Sequence, residues 1–204
     1  MKSAREEILE KLREFKTPVP EKPDFEEDVF YTPDEEAILT FRKNLELVSG
    51  KLHLFQSEKK LYNELKIYLQ QKNKQNINCR EPEIQARLSN YNISYSGESK
   101  MDGMMETALT GCEFLIAQTG SVMVSSHQPG ARQIIVFPET HIVIAQKQQV
   151  IKNLDVAYRA MSEKYKGNLP SQITLITGPS RTADIEKVLT LGAHGPKELH
   201  VFLH

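Results

Sequence analysis

Apolar positions along this chain follow two periods, and the switches between them predict the order of its elements. Near the start, Ile8, Leu12 and Phe15, with Leu9 alongside, share one face of a helix over residues 3–15, opened by Ser3 with Glu6 as a capping box. The prolines in Thr17-Pro18-Val19-Pro20-Glu21-Lys22-Pro23 remove backbone donors and favour extended conformations, so a stiff strap follows. Thr32-Pro33-Asp34-Glu35 predicts a second helix start, with proline at the first helical position. Ile38, Phe41, Leu45 and Val48 form its apolar stripe, and Gly50 is a natural stop.

After Gly50 strands and helices alternate. The pattern predicts strands over 52–55, 76–79, 114–117, 121–125, 134–137, 142–145, 173–177 and 200–203, with helices over 58–69, 83–90 and 150–165. Ile134-Ile135-Val136-Phe137 and Ile142-Val143-Ile144-Ala145 are short apolar runs of the kind found in strands covered on both faces. A tight turn at Thr119-Gly120 joins the two strands around it. The alternation implies an α/β fold in which helices sandwich a mainly parallel sheet, with antiparallel strands near Thr119. It divides the chain into N-terminal helices and strap over residues 1–50 and an α/β domain over 51–204.

Composition narrows the function classes. With 26 lysines and arginines against 27 acidic residues, no global field draws the chain to nucleic acid or an anionic membrane, so an anion site has to be local. No apolar run approaches the roughly 20 residues that span a bilayer, and the charged start Met1-Lys2-Ser3-Ala4-Arg5 lacks the core of a signal peptide, so a cytoplasmic location is expected. Two cysteines, Cys79 and Cys112, are too few for an iron–sulfur cluster or a four-thiolate zinc site, and the six histidines show no HxH or HExxH spacing. No metal is expected from this chain's own side chains.

Three segments carry candidate chemistry. The strand over 173–177 runs into Gly178-Pro179-Ser180-Arg181-Thr182-Ala183-Asp184, placed to follow the carboxyl edge of a sheet, where ligands collect. Gly178 allows close backbone approach, while the Ser180 and Thr182 hydroxyls and the Arg181 fork offer donors to an anion. Asp184 either caps a helix beginning at Ile185 or orients Arg181. The competing reading is a capped turn with Arg181 on a structural carboxylate. In Leu191-Gly192-Ala193-His194-Gly195-Pro196, glycines flank His194, a candidate acid or base, although a histidine that merely ties the turn together fits as well. The Thr119-Gly120-Ser121 turn, with Glu113 before it and Arg132 after it, offers donors to a phosphate or carboxylate, and is also an ordinary hairpin turn. His194, Asp184 and Glu113 are thus the proton-transfer candidates. Thr119, Gly120, Ser121, Arg132, Gly178, Pro179, Ser180, Arg181 and Thr182 are the binding candidates.

These residues resemble the LUD-domain family of the lactate-utilisation protein C type. The matching pieces are Thr119-Gly120-Ser121, Arg132, Pro138 with His141, the run from Thr177 to Glu186, and Gly192-Ala193-His194-Gly195-Pro196 followed by Glu198-Leu199-His200. Ser121 stands where the family usually has threonine, a change that keeps the hydroxyl. The resemblance is close from about Glu106 onward and looser before it. It implies a three-layer α/β fold similar to 5-formyltetrahydrofolate cyclo-ligase and the ribose-phosphate isomerase and coenzyme A transferase group. It also implies a non-redox subunit in the oxidation of L-lactate to pyruvate, with iron–sulfur and cysteine-rich partner subunits carrying the clusters and no cofactor bound by this chain alone. The rival readings are a stand-alone enzyme acting on a phosphorylated or folate-like substrate, and a scaffold with a vestigial pocket that docks a neighbour through its N-terminal helix and strap.

Overall fold

The computed structural model describes residues 4–14, 36–97, 105–183, 189–192 and 194–204. The proline strap, the helix start at Thr32-Pro33-Asp34-Glu35, the cap residue Ser3, Phe15, Asp184 and Ala193 lie outside the described residues. The chain forms two units, residues 1–31 and 32–204. In the first, α1 (Ala4–Glu14) has Ile8, Leu9 and Leu12 exposed.

The second unit begins with α2 (Ala37–Leu47), β1 (Lys51–Leu54), α3 (Glu58–Gln71), β2 (Ile77–Cys79), α4 (Pro82–Asn90) and β3 (Thr107–Thr110). It continues with β4 (Phe114–Ile116), β5 (Ser121–Ser125), the single turn α5 (Ala131–Ile134), β6 (Thr140–Ala145) and β7 (Val150–Ile151). The last elements are α6 (Leu154–Lys164), β8 (Ile173–Ile176), β9 (Arg181–Ala183), β10 (Leu189–Leu191) and β11 (Glu198–Leu203). Helix starts carry the side chains that a first turn requires. Ser57 accepts from the Lys60 amide at the head of α3, Asn153 accepts from Val156 at the head of α6, and Pro82 opens α4.

The central sheet has the order β1-β11-β6-β3-β2, and every neighbouring pair is parallel. Strand alternation sends Leu109, Ile142, Ile144 and Phe202 to one face, where they pack with Leu61, Leu65 and Leu69 of α3 and Ile84 and Leu88 of α4. Ala108, Val143, Leu199, Val201 and Leu203 point to the other face and meet Phe41 and Leu45 of α2. Both α2 residues are fully buried, each contributing about 2–3 kcal/mol of burial. The helix that the sequence groups with the N-terminal segment is therefore part of the main core.

The antiparallel strands expected near Thr119 form a second sheet of their own, ordered β7-β4-β5-β8. Its Leu115, Val122 and Val124 join α2 beneath the parallel sheet, and its Ile116 and Met123 turn outward to Ala157 and Met161 of α6. The layers therefore run α3 and α4, parallel sheet, second sheet with α2, then α6.

Four local expectations are corrected. Residues 134–137 are not a strand: Gly130, at φ 72°, starts a turn in which the Ile134 amide bonds the Gly130 carbonyl. Ile134 and Ile135 are buried while Val136 and Phe137 are exposed, a turn-like pairing that a four-residue apolar run does not reveal. The helix expected from Val150 starts four residues later, because Val150–Ile151 pairs with β4 and Asn153 sets the cap. Thr107–Thr110, unpredicted, is a buried strand between β6 and β2. Finally, β8 is not a strand of the parallel sheet. It pairs antiparallel with β5, and β9 after it pairs antiparallel with β10, while the start of the helix expected at Ile185 lies outside the described residues.

Candidate functional site

The loops singled out in the sequence converge, and the end of α2 holds them together. The side-chain amide of Asn44 donates to the carbonyls of Ala117 (2.8 Å) and Gln118 (2.9 Å), fixing the hairpin turn between β4 and β5. Gly120 sits in that turn at φ 64°, and a Cβ there would lie 2.3 Å from the Leu45 nitrogen. Gly178 has φ 79°, and a Cβ there would lie 2.2 Å from the Val48 carbonyl oxygen. Both glycines are needed for left-handed backbone in direct contact with α2. The Ser121 hydroxyl lies 2.7 Å from those of both Thr119 and Thr177, joining the turn to the end of β8. The Ser180 amide bonds the Pro196 carbonyl (2.8 Å), and the Gly192 amide bonds the Ser180 carbonyl (3.0 Å), which brings the 178–182 and 192–196 segments together.

Their meeting place is the amino edge of the parallel sheet, where β1 and β11 begin, and not its carboxyl edge. A groove of about 290 Å³ lies there, lined by Ser49, Lys51, Pro179, Arg181, Lys197 and Glu198 among others. Arg181 donates to the Ser49 hydroxyl at 2.7 Å and has no carboxylate partner among the described residues. Lys51 lies 3.8 Å from Glu198, and Lys197 bonds Glu139 at 2.8 Å. Arg181 is therefore the cation of this lining that has no carboxylate partner among the described residues. His194 is exposed and Thr182 is half-buried on β9, and neither is among the residues lining the groove.

Two candidates lie elsewhere. Arg132 is exposed on α5 and donates to Ser171 at 2.8 Å. Glu113 is buried just past the carboxyl end of β3, at the opposite edge of the sheet. It accepts from Ser125 (2.5 Å), Tyr165 (2.7 Å) and Lys164 (2.6 Å). Burial works to raise its carboxyl, but the bonds from Lys164, Ser125 and Tyr165 outweigh that and hold it below the ordinary range. With three donors on it, Glu113 organises a wall and has little left for a reacting group. Glu113→Ala is expected to cost about 3 kcal/mol in urea unfolding, because Ser125 and Tyr165 lose their acceptor and the ion pair is broken. A loss under about 1 kcal/mol would overturn the network reading.

That wall borders the larger cavity, about 560 Å³, which sequence reasoning missed. It opens where the parallel strands end: Glu81 follows β2, Gly111 to Glu113 follow β3, Gln146 follows β6 and His204 follows β11. Ligands in open α/β sheets collect at such edges. Glu81 accepts from the Gly111 amide at 2.7 Å, while the His127 and Tyr165 rings stack 4.6 Å apart at the mouth. One signal for Glu81 was present in the sequence: it directly follows the strand over 76–79 and precedes a proline-opened helix. Recognising it required knowing that this strand is parallel to its neighbours.

An α/β protein with a five-stranded parallel sheet, helices on one face and a small mixed sheet on the other, is the class that this geometry defines. The chain belongs to the LUD domain family, whose match covers residues 28–204. It is similar to the Lactate utilization protein C of Deinococcus radiodurans, 29% identical over 99 residues, 48% of this chain and 46% of that protein. The protein of the same name from Geobacillus kaustophilus is 37% identical over 86 residues, 41% of this chain and 36% of the relative. The aligned segments thus span less than half the length of these curated relatives. Among solved structures, a DUF162 family protein from Deinococcus radiodurans superposes with a TM-score of 0.63 at 16% identity, covering 82% of this chain and 95% of that one. Among the described residues no helix is long and apolar enough to cross a membrane, and no group of three or more His, Cys, Asp and Glu side chains is placed to hold a metal ion.

Proposed function

We propose that this chain acts in lactate utilisation as a non-redox subunit that binds a small carboxylate in the amino-edge groove, while partner subunits carry iron–sulfur clusters. The observation that carries this reading is Arg181: a guanidinium oriented by Ser49 with no carboxylate partner among the described residues, on a segment that belongs to the motif shared with the family. A planar guanidinium matches a carboxylate with two parallel bonds, and Lys51 and Lys197 nearby add to the attraction. The names of the relatives make a 2-hydroxy or 2-oxo acid the class to try first. The Ser180 and Thr182 hydroxyls are the proposed further donors, and the exposed His194, in the segment tied to Ser180, is the proposed proton-transfer group.

The test is a thermal shift of the full chain with lactate, pyruvate and inorganic phosphate. The carboxylates are expected to raise the melting temperature, and Arg181→Ala is expected to weaken binding by about tenfold or more while leaving the unliganded fold intact. If Arg181→Ala preserved both ligand binding and lactate-dependent growth, the assignment would be wrong. A pull-down with the iron–sulfur partner tests the subunit role separately.

A further inference from the structure

A hydrogen-bonded chain of titratable groups lies behind the amino-edge groove, and the anion reading gives it no role. His200 of β11 belongs to the wall of the groove but is 2% exposed, so it acts on an occupant through its charge and not by touching it. Its Nδ1 is 3.0 Å from Nε2 of His53 on β1, and its Nε2 is 3.1 Å from the Tyr68 hydroxyl on α3. Phe202 packs on the His53 ring with centroids 4.5 Å apart, while His53 itself is half-buried, so solvent reaches the outer end of the chain.

The geometry fixes how many protons this chain holds. With both histidines neutral, one proton lies between His53 and His200 and one between His200 and Tyr68. Either His200 donates to His53 and accepts from Tyr68, or both directions reverse. One further proton makes His200 a donor at both nitrogens, and His53 and Tyr68 can still accept. The chain therefore has room for a single added proton.

The surrounding charges govern when that proton is bound. Among the described residues, His53 and Lys51 act on His200 from β1, Tyr68 from α3 and Glu198 from β11 itself, while its neighbour on β6 is the apolar Ile142. Burial is the main cause that holds His200 down at about 4, with His53 and Lys51 adding to it and Glu198 opposing. Burial and then Lys51 also lower His53, and burial raises Tyr68 to about 12, so the phenol keeps its proton. Glu198 joins the chain to the groove: one oxygen is 3.8 Å from Lys51 and the other 3.7 Å from His200 Nε2. A proton on the histidines draws Glu198 toward them and leaves Lys51 to meet an anion.

We propose that a carboxylate entering this groove is bound together with one proton, which the His53–His200 pair takes up. The inference rests on the reading of the groove as a carboxylate site. The ligand brings one negative charge and the pair one positive charge, so each strengthens the binding of the other by the same factor. A bound anion raises the affinity of the pair for its proton, and binding tightens as the pH falls.

Pyruvate, whose carboxylate stays ionised throughout, is titrated into the full chain by calorimetry between about pH 7.5 and about pH 5. Binding is expected to be at least about threefold tighter at the lower pH, with proton uptake read from the dependence of the heat on the buffer. The double variant His53→Gln/His200→Gln keeps hydrogen-bonding side chains in both places but cannot titrate, and is expected to lose this pH dependence. Imidazole NMR signals of the parent are a second readout that needs no folded variant: pyruvate is expected to move the titration midpoint of the pair upward by at least about half a pH unit. If pyruvate binds, Arg181→Ala weakens it, and affinity stays constant with pH and no proton is taken up, the coupling is overturned and the groove reading stands. If pyruvate fails to bind at any pH, or binds Arg181→Ala equally well, both are overturned. A pH dependence that His194→Gln removes and the double variant keeps would place the proton on His194 and overturn the assignment to the pair.

Discussion

Gly120→Ala is expected to destabilise the protein by roughly 3 to 5 kcal/mol, enough to deplete the folded state of a domain this size. Two effects add. A left-handed conformation, φ 64° here, costs an L-residue with a side chain roughly 1–2 kcal/mol. The new methyl group would also lie 2.3 Å from the Leu45 nitrogen and 2.4 Å from the Asn44 carbonyl carbon, which are backbone atoms of a buried helix and cannot swing aside. Gly178→Ala should behave alike, since its methyl would meet the Val48 carbonyl oxygen at 2.2 Å. Gly167 is the control: at φ 77° it has the same strain, but nothing among the described residues lies within 4 Å of its would-be Cβ. Gly167→Ala should therefore cost only about 1 kcal/mol. Urea unfolding midpoints separate the cases, and equal losses at Gly120 and Gly167 would show that the contact with α2 contributes nothing.

Acid is expected to weaken the fold well above the range where carboxylates titrate, because of histidines buried in neutral form. His141, fully buried on β6, bonds Thr110 through Nε2 at 2.8 Å and leaves Nδ1 without a partner among the described residues. Burial pushes it from 6.5 down to about 4. His200 on β11 is held below its ordinary range by burial and by His53, whose Nε2 lies 3.0 Å from His200 Nδ1, although Glu198 acts in the other direction. Between the folded and unfolded pKa values the unfolded chain takes up a proton that the folded chain refuses. Stability is therefore complete above about pH 6.5 and falls as the pH drops toward about 4. His141 alone accounts for about 3 kcal/mol of that loss. Glu113, with its lowered carboxyl, adds to the loss at still lower pH, whereas the raised carboxyl of Glu81 acts in the opposite sense. Unfolding free energies from pH 7.5 to 4.5 check the slope. His141→Leu is expected to start less stable, because Thr110 loses its partner, and to show a shallower decline. An unchanged slope in that variant would exclude His141 as its source.

Period-two and helical patterns exposed most elements, since half-buried strands and amphipathic helices repeat their apolar residues along the chain. They failed at Ile134–Phe137, where four apolar residues in a row fit a buried strand and a packed turn equally well, and at Thr107–Thr110, where two threonines flank only two apolar residues and leave little signal. The candidate groove was legible in part. Glycines beside hydroxyls and an arginine mark a segment where backbone comes close to something, and the 119–121, 178–182 and 192–196 segments do meet. What Gly120 and Gly178 approach is α2, so the spacing was right and the reason for it structural.

Local chemistry along the chain determined the α/β class and the starts of the helices over 58–71 and 82–90, because each depends on residues a few positions apart. Which edge of the sheet the polar loops occupy depends on strand pairing over long separations. β8 joined β5 in a second sheet and left the carboxyl edge to Glu81 and Glu113. Only the tertiary structure decides such pairings, since hydrogen bonds between strands are chemically alike wherever they form and the choice falls to burial summed over the whole core.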